Sequence, residues 1–381
     1  MKKHPKHNES PIRPFRSTVE VALLLITLYS AIHTGNWTWF IISAVFVSVA
    51  FGARLWTWLS IRKTKKKALL EAGVDIQVPI DILANAIEKS EAIAHELHKQ
   101  TGRQCLRMTV NADRKPNLTD TKLGGAPWWD FNIPYPTDTD GRPMMLVFQI
   151  NFDQAPKLAP LPESGMLQFF ITSDPENYSY GQNDDWGIEQ RNFRVVYHPT
   201  VTDMVTHDMV QDFPRCEEHT DTAPVYGEYA IDVVLGEDAI NVACPHFTKN
   251  FSHAVKELYS DEVQVEDPMD YLTADFPEDH RDGDETTLLS TPDVYRGYPE
   301  ESDFQMLGYP RFEQYDYRND DIKLRSFDTL LLQIPTLEDK SDESDGNRTL
   351  WGDCGSARLF ISYDDLIRRD FSRVFYETQC Y

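Results

Sequence analysis

From Trp37 to Leu59 the chain runs for 23 residues with a single charge, Arg54, near its end. That is long enough to cross a hydrocarbon core of about 30 Å, which takes roughly 20 apolar residues. A second apolar stretch, Val19 to Thr34, is shorter and contains Glu20, so it crosses only with snorkelling flanks or local thinning of the bilayer. Two arrangements follow, a helical hairpin or a single span preceded by an interfacial segment. Lys2, Lys3, Lys6, Arg13 and Arg16 precede the first stretch, Arg62, Lys63, Lys65, Lys66 and Lys67 follow the second, and the intervening Gly35-Asn36 carries no charge. A hairpin keeps both clusters on the cytoplasmic side, whereas a single span exports one of them against the positive-inside tendency. The expectation is therefore an N-terminal transmembrane hairpin, residues 1–67, with spans at about 19–34 and 37–59 and both termini cytoplasmic. Trp37, Trp39, Trp56 and Trp58 bracket the second span as an aromatic belt does. The run His33-Thr34-Gly35-Asn36-Trp37 lacks the small-residue site of a cleaved signal peptide.

Charge is segregated along the chain. Residues 1–67 hold 11 Lys/Arg against 2 Asp/Glu, leaving 26 against 59 in residues 68–381. An acidic body of this kind repels a phosphate backbone, which argues against nucleic acid as a partner, and steers basic protein surfaces toward itself. Five cysteines, Cys105, Cys216, Cys244, Cys354 and Cys380, are widely spaced and form no Cys-x-x-Cys pair, so neither a disulfide framework nor a zinc site is indicated. They fit reduced thiols in a cytoplasmic body.

Residues 68–381 read as one α+β, sheet-rich soluble domain. Pro79 opens a helix carrying Ile80, Leu83, Ala84, Ile87, Ala94 and Leu97 at helical spacing. Short β-like runs follow at Cys105–Val110, Met144–Ile150, Met166–Ile171, Phe193–Tyr197 and Tyr229–Val234. Helical patterning returns near Phe251–Tyr259 and Asp364–Phe371. Residues 260–305 are acidic and turn-rich, which predicts a long surface excursion between halves at about 78–250 and 300–381. The halves look related. Leu123-Gly124 stands 26 residues before Gln149-Ile150, and Leu307-Gly308 stands 26 before Gln333-Ile334; Gly165 and Gly355 then each precede an aromatic strand ending six residues later in Ile171 and Ile361. Repeated order and spacing predict a duplicated unit, with a cleft where the copies meet. Gly165 follows Gln149 by 16 positions and Gly355 follows Gln333 by 22, which places the extra residues near Lys340–Asn347.

Lys122-Leu-Gly-Gly-Ala-Pro-Trp128, Phe148-Gln-Ile-Asn151, Leu161-Pro-Glu-Ser-Gly-Met-Leu-Gln-Phe-Phe170, Leu307-Gly-Tyr-Pro310 and Trp351-Gly-Asp-Cys-Gly355, taken in order, resemble the YwqG-like, DUF1963 proteins of bacteria. The resemblance runs from about residue 80 to the C-terminus. It implies an α+β, sheet-rich domain of uncharacterised activity, an association with toxin-immunity neighbourhoods, and no catalytic residue to carry over. With the membrane segment it places the chain at a bacterial inner membrane.

Gly-x-Gly-x-x-Gly, Gly-Lys-Ser/Thr, His-Glu-x-x-His and Gly-x-Ser-x-Gly are all absent. Asp138-Thr-Asp140-Gly141 begins like a calcium loop but has Gln149 where the loop needs glutamate, so a polar turn is the better reading. Cys354, in a tight glycine turn, is the one candidate nucleophile; the plain alternative is that the turn needs a small residue there. Gln149 and Gln333 are candidates to bond a ligand in the cleft, with Trp351, Asp353 and Cys354 beside them, or else they satisfy backbone groups. No metal or cofactor is expected. The leading reading is a membrane-tethered, non-enzymatic module that binds a basic protein; the alternative is a small-ligand binder or enzyme acting from the cleft.

Overall fold

The structure, a computed structural model, describes residues 78–183, 188–260, 265–281, 286–339 and 346–381. The expected spans 19–34 and 37–59 and their basic flanks lie outside the described residues. Among the described residues no helix is long and apolar enough to cross a membrane. The body forms one compact unit, Asn85–Tyr381.

Helix α1 (Ile80–Thr101) opens at Pro79, whose carbonyl accepts the amides of Ile82 and Leu83. Within the body it buries Ala86, Ser90, Ile93, Ala94 and Leu97, the i, i+4 and i+3 stripe that an amphipathic helix presents to a core. Helix α2 (Phe247–Tyr259) starts four residues before the expected position and buries Phe247, Phe251, Ala254 and Val255. It stops at Ser260, in the left-handed region at φ 58°. Helix α3 (Tyr363–Arg368) is capped by the Ser362 hydroxyl, which accepts from the Asp365 amide. The acidic stretch between the halves is not a surface excursion. Leu272, Phe276, Leu289, Val294, Tyr295 and Phe304 within it are buried. Ser90 Oγ donates to Leu289 O at 2.6 Å, Tyr295 Oη donates to Ser90 O, and Tyr271 and Tyr295 pack edge-on to Phe251 and Phe247. These apolar residues fall at no regular period, so the sequence shows only the charges between them.

Ten strands make one curled antiparallel sheet: β1 (Arg103–Asn111), β2 (Lys122–Leu123), β3 (Met145–Asn151), β4 (Met166–Ile171), β5 (Phe193–His198), β6 (Tyr229–Asp238), β7 (Gln305–Leu307), β8 (Thr329–Pro335), β11 (Ser356–Ile361) and β12 (Phe375–Gln379). Strands β9 (Leu337–Glu338) and β10 (Asn347–Thr349) form a separate hairpin in the loop after β8, around the site where extra residues were expected. The sheet order is β12-β11-β8-β7-β1-β6-β2-β3-β4-β5. It reads the same outward from the central β1·β6 pair: each side has a two- or three-residue strand, then a strand with a central Gln, then an aromatic strand, then an edge strand.

One sheet face carries the main apolar core. Leu106, Met108, Phe148, Ile150, Phe169, Ile231, Met306, Leu332, Ile334 and Leu359 all belong to it. The curl brings the two ends of the sheet together on this face, so that Phe169 and Phe193 both meet Tyr376 of β12, with ring centres at 5.0 and 5.1 Å. The opposite face carries two smaller apolar clusters. One contains Trp129, Leu146 and Phe170; the other contains Phe312, Leu330 and Phe360, from the corresponding strands.

The register corrects the proposed alignment by one residue. Gln149 pairs with Lys122 and Gln333 pairs with Gln305, so with the glutamines matched, Gly124-Gly125 corresponds to Leu307-Gly308, an offset of 183 and not 184. Backbone angles agree: Gly124 and Gly125 lie at φ 61° and 68°, Leu307 and Gly308 at 62° and 78°. The shared Leu-Gly letters misled because the two consecutive left-handed residues, not the side chains, define the turn. β6 (Tyr229–Asp238) pairs with β1 at the centre, opposite β7.

Candidate functional site

A row of buried polar side chains crosses the sheet face opposite the main core. In register it runs from Gln168 through Gln149 to Lys122, and on the other side of the central pair from Gln305 through Gln333 and Arg358 to Glu377; His198 and Gln379 extend it from two residues further along the edge strands, paired with Met166 and Ser356. All nine are nearly or wholly buried. A buried polar atom must find a partner or lose several kcal/mol, roughly, relative to water, and the chain that covers this face supplies the partners.

In the first half, Gln149 Oε1 accepts the Trp128 amide at 3.3 Å, and Gln149 Nε2 donates to Leu118 O and Asp120 O at 2.8 Å each. Gln168 Nε2 donates to Trp128 O. Lys122 Nζ donates to Ala126 O and pairs with Glu228 at 2.7 Å; burial pulls the amine below its ordinary pKa while Glu228 opposes that pull. His198 Nε2 lies 2.9 Å from Gln168 Oε1, edge-on to Trp128 and Trp129, and burial lowers its pKa to about 4.

The second half repeats the same bonds with different letters. Gln333 Oε1 accepts the Arg311 amide, Gln305 Nε2 donates to Tyr309 O, and Arg358 Nη1 donates to Arg311 O. Upstream, Arg114 and the Asn117 amide bond to Asp120, as Arg296 and the Glu300 amide bond to Asp303. Charge replaces the aromatic network here. Arg358 binds Glu377 and Glu313 at 2.9 and 3.0 Å, and burial raises the Glu377 carboxyl pKa against the pull of Arg358. Arg311 sits between Asp238 and Asp303. Burial alone would raise Asp303, but Arg311 and Arg296 outweigh it and hold the carboxyl below its ordinary range.

The five sequence candidates do not gather in one cleft. Four strands lie between Gln149 on β3 and Gln333 on β8, and each glutamine holds backbone, the second of the two roles considered. Trp351, Asp353 and Cys354 share one turn, in which Gly355 N bonds Trp351 O and Trp351 packs on Tyr180 inside the main core. Cys354 is exposed at φ 55°, and a Cβ on the following Gly355 would fall 1.8 Å from Gln379 O. Among the described residues no hydrogen bond joins Cys354 to a histidine. Burial raises the Cys105 thiol to about 11 and raises Cys216 and Cys244 as well, which disfavours their thiolates near neutrality. Asp138 closes its own turn by accepting the Asp140 and Arg142 amides.

Sequence reasoning missed two surface features. In the first half, Phe131, Ile133, Met204 and Met209 are exposed, with Phe131 stacked on Phe213. Asp130, Asp203, Asp208 and Asp212 stand near them in sequence, with Asp208 and Met209 on the short helix His207–Val210. An open groove of about 1190 Å³ lies among the end of α1, the start of β1, residues 158–160, the 240–246 loop and residues 307–330. The patch was visible only as isolated apolar letters in loops, and the groove draws on segments 200 residues apart.

The fold is thus a sheet-rich body with few helices around a large curled antiparallel sheet. A family model described as a domain of unknown function (DUF1963) matches residues 121–380, and the chain belongs to that family. The match begins at β2 and leaves out α1 and β1, although β1 pairs with both β6 and β7 at the sheet centre. No curated protein matches the chain.

Proposed function

We propose that the chain is a membrane-tethered, non-enzymatic binding protein whose body docks a basic protein segment on the apolar patch of its first half. The observation that carries this reading is the patch itself: Phe131, Ile133, Met204 and Met209 stand exposed among four aspartates. A partner with an apolar strip flanked by Lys or Arg matches that pattern in both shape and charge. Comparison of the halves adds to it. Continuing the offset of 183, Phe131 corresponds to Gln314 and Ile133 to Asp316, and both of these side chains are engaged within the fold, Gln314 Nε2 donating to Cys380 O and Asp316 accepting from Arg318. The architecture therefore does not require apolar residues at 131 and 133. The matching bonds across the two halves also support descent of the body from a duplicated unit. The membrane tether through residues 19–59, at a bacterial inner membrane with both termini cytoplasmic, is part of the same proposal and is supported by the placement of the basic clusters.

A photo-crosslinking residue at position 131 or 209 of the full-length protein, expressed in cells, should capture a partner rich in Lys and Arg. The same probe at Gln314 should not. Phe131→Ser combined with Met209→Ser should abolish the adduct at neighbouring positions while the protein still accumulates in membranes. Equal labelling at 131, 209 and 314 would sink the docking assignment.

A further inference from the structure

We infer that the open groove at the end of α1 is a binding site for a small phosphate-bearing ligand with an apolar body. Five charged side chains line it: Arg103, Arg318, Arg325, Asp316 and Asp328. Two of them cancel each other. Arg318 Nε and Nη2 grip the two oxygens of Asp316 at 2.8 Å each, Nη1 donates to Phe327 O, and the guanidinium lies 3.8 Å from the centre of the Phe360 ring. Asp328 accepts the Tyr363 amide and the Thr329 hydroxyl, which fixes its carboxylate at one rim.

Arg103 and Arg325 remain. Among the described residues neither forms an ion pair, and Arg325 bonds only to Asn319 O, at 3.2 Å. This is unexpected in a region where acids outnumber bases 59 to 26, since an exposed guanidinium there meets carboxylates on most sides. Arg103 is also positioned. Its guanidinium lies 4.4 Å over the Tyr309 ring, and that ring is held by a 2.8 Å bond from its hydroxyl to Thr101 O. A stacked guanidinium keeps its N–H edge free for an oxyanion.

Two uncompensated guanidiniums on the one groove match in total the charge of a phosphate monoester near neutral pH, and each offers paired N–H donors to oxyanion oxygens. Carboxylates also accept such donors, but a single carboxylate carries only half that charge. The groove is far larger than a phosphate group, and Leu158, Ala159, Pro160 and Tyr363, all at least partly exposed, give it an apolar wall. Small-ligand sites pair such walls with a few placed polar groups. This site is separate from the patch around Phe131, and the test below does not depend on the docking proposal.

Full-length protein in detergent, titrated calorimetrically with phenyl phosphate, should show saturable binding with Kd below about 1 mM, and inorganic phosphate should bind about tenfold more weakly. Arg103→Gln and Arg325→Gln should each weaken phenyl phosphate by about tenfold, the size of one lost charge-assisted bond. Both side chains are exposed, so the thermal midpoints of the variants should match that of the parent. Phenyl sulfonate, with one negative charge, should fall between the two phosphates. No saturable heat below about 10 mM phenyl phosphate overturns the inference, as does unchanged affinity in both variants. Equal affinity for benzyl alcohol overturns the anion assignment.

Discussion

Gln149 and Gln333 occupy matching strands and hold matching amides, yet they do unequal work. The Gln149 amide nitrogen bonds two buried carbonyls, while Gln333 Nε2 is buried with no hydrogen-bond partner among the described residues. Gln149→Leu should therefore destabilise the body by about 2–4 kcal/mol and Gln333→Leu by only about 1 kcal/mol, measured by denaturant unfolding. Equal losses would mean that the two glutamines support their covers equally, against the difference in their bonding. Leu307 shows a different balance. Its left-handed backbone costs about 1–2 kcal/mol, but burying its side chain returns about 1.5–3 kcal/mol, which explains how leucine survives where the other half uses Gly124.

His198 gives a pH-dependent test at the same scale. Folding lowers its pKa from 6.5 to about 4, so the unfolded chain binds the proton first as pH falls. Its stabilising contribution is present in full above pH 6.5 and declines between 6.5 and 4, by about 3 kcal/mol in total. His198→Gln should flatten that part of the stability profile. An unchanged slope between pH 6.5 and 4 in the variant would assign the decline to other groups.

At the scale of elements, the strands carried clear signals and the connections did not. Met166–Ile171 matches its expected limits, and β3 and β5 match to within a residue, because runs such as Met-Leu-Gln-Phe-Phe-Ile are bounded by turn residues. The same strands in the second half are held by an ion triad, which sets a measurable contrast. Arg358→Met leaves Glu313 and Glu377 buried beside one another and should cost about 3–5 kcal/mol at neutral pH. The loss should shrink as pH falls, since the Glu377 carboxyl, which burial pushes up, then takes up a proton. Adding Glu313→Gln and Glu377→Gln should restore much of the stability. A penalty that stays constant with pH would show that lost packing, not unpaired charge, is the cause.

At the scale of the whole molecule, the central β1·β6 pair joins the two halves. β1 lies beside β7 of the second half and β6 beside β2 of the first, so each half is completed by a strand that begins the other. Residues 78–228 expressed alone should be unfolded, whereas residues 78–381 should melt cooperatively, as judged by calorimetry. A stable, cooperative fragment 78–228 would contradict this exchange. For the head, reporter fusions after Arg16 and after Lys67 should both report the cytoplasmic side; one exported reporter would replace the hairpin with a single span.

Much of this was legible in the linear chain because it depends on local chemistry. Segregated charge, an apolar run of membrane length, short β-like runs bounded by turn residues and the repeated Gln-Ile spacing need no knowledge of distant residues. The spacing from Leu-Gly to Gln-Ile aligned the two glutamine strands, though letter matching placed the turn one residue off. Tertiary structure decided the rest. Whether Gln149 meets a ligand or a backbone amide depends on which loop crosses its strand, and that loop comes from residues 118–128. Whether Arg103 finds a carboxylate depends on residues 309–328, two hundred positions away. Pairing between charges and closure of a groove are set by distances in space, and sequence separation does not encode those.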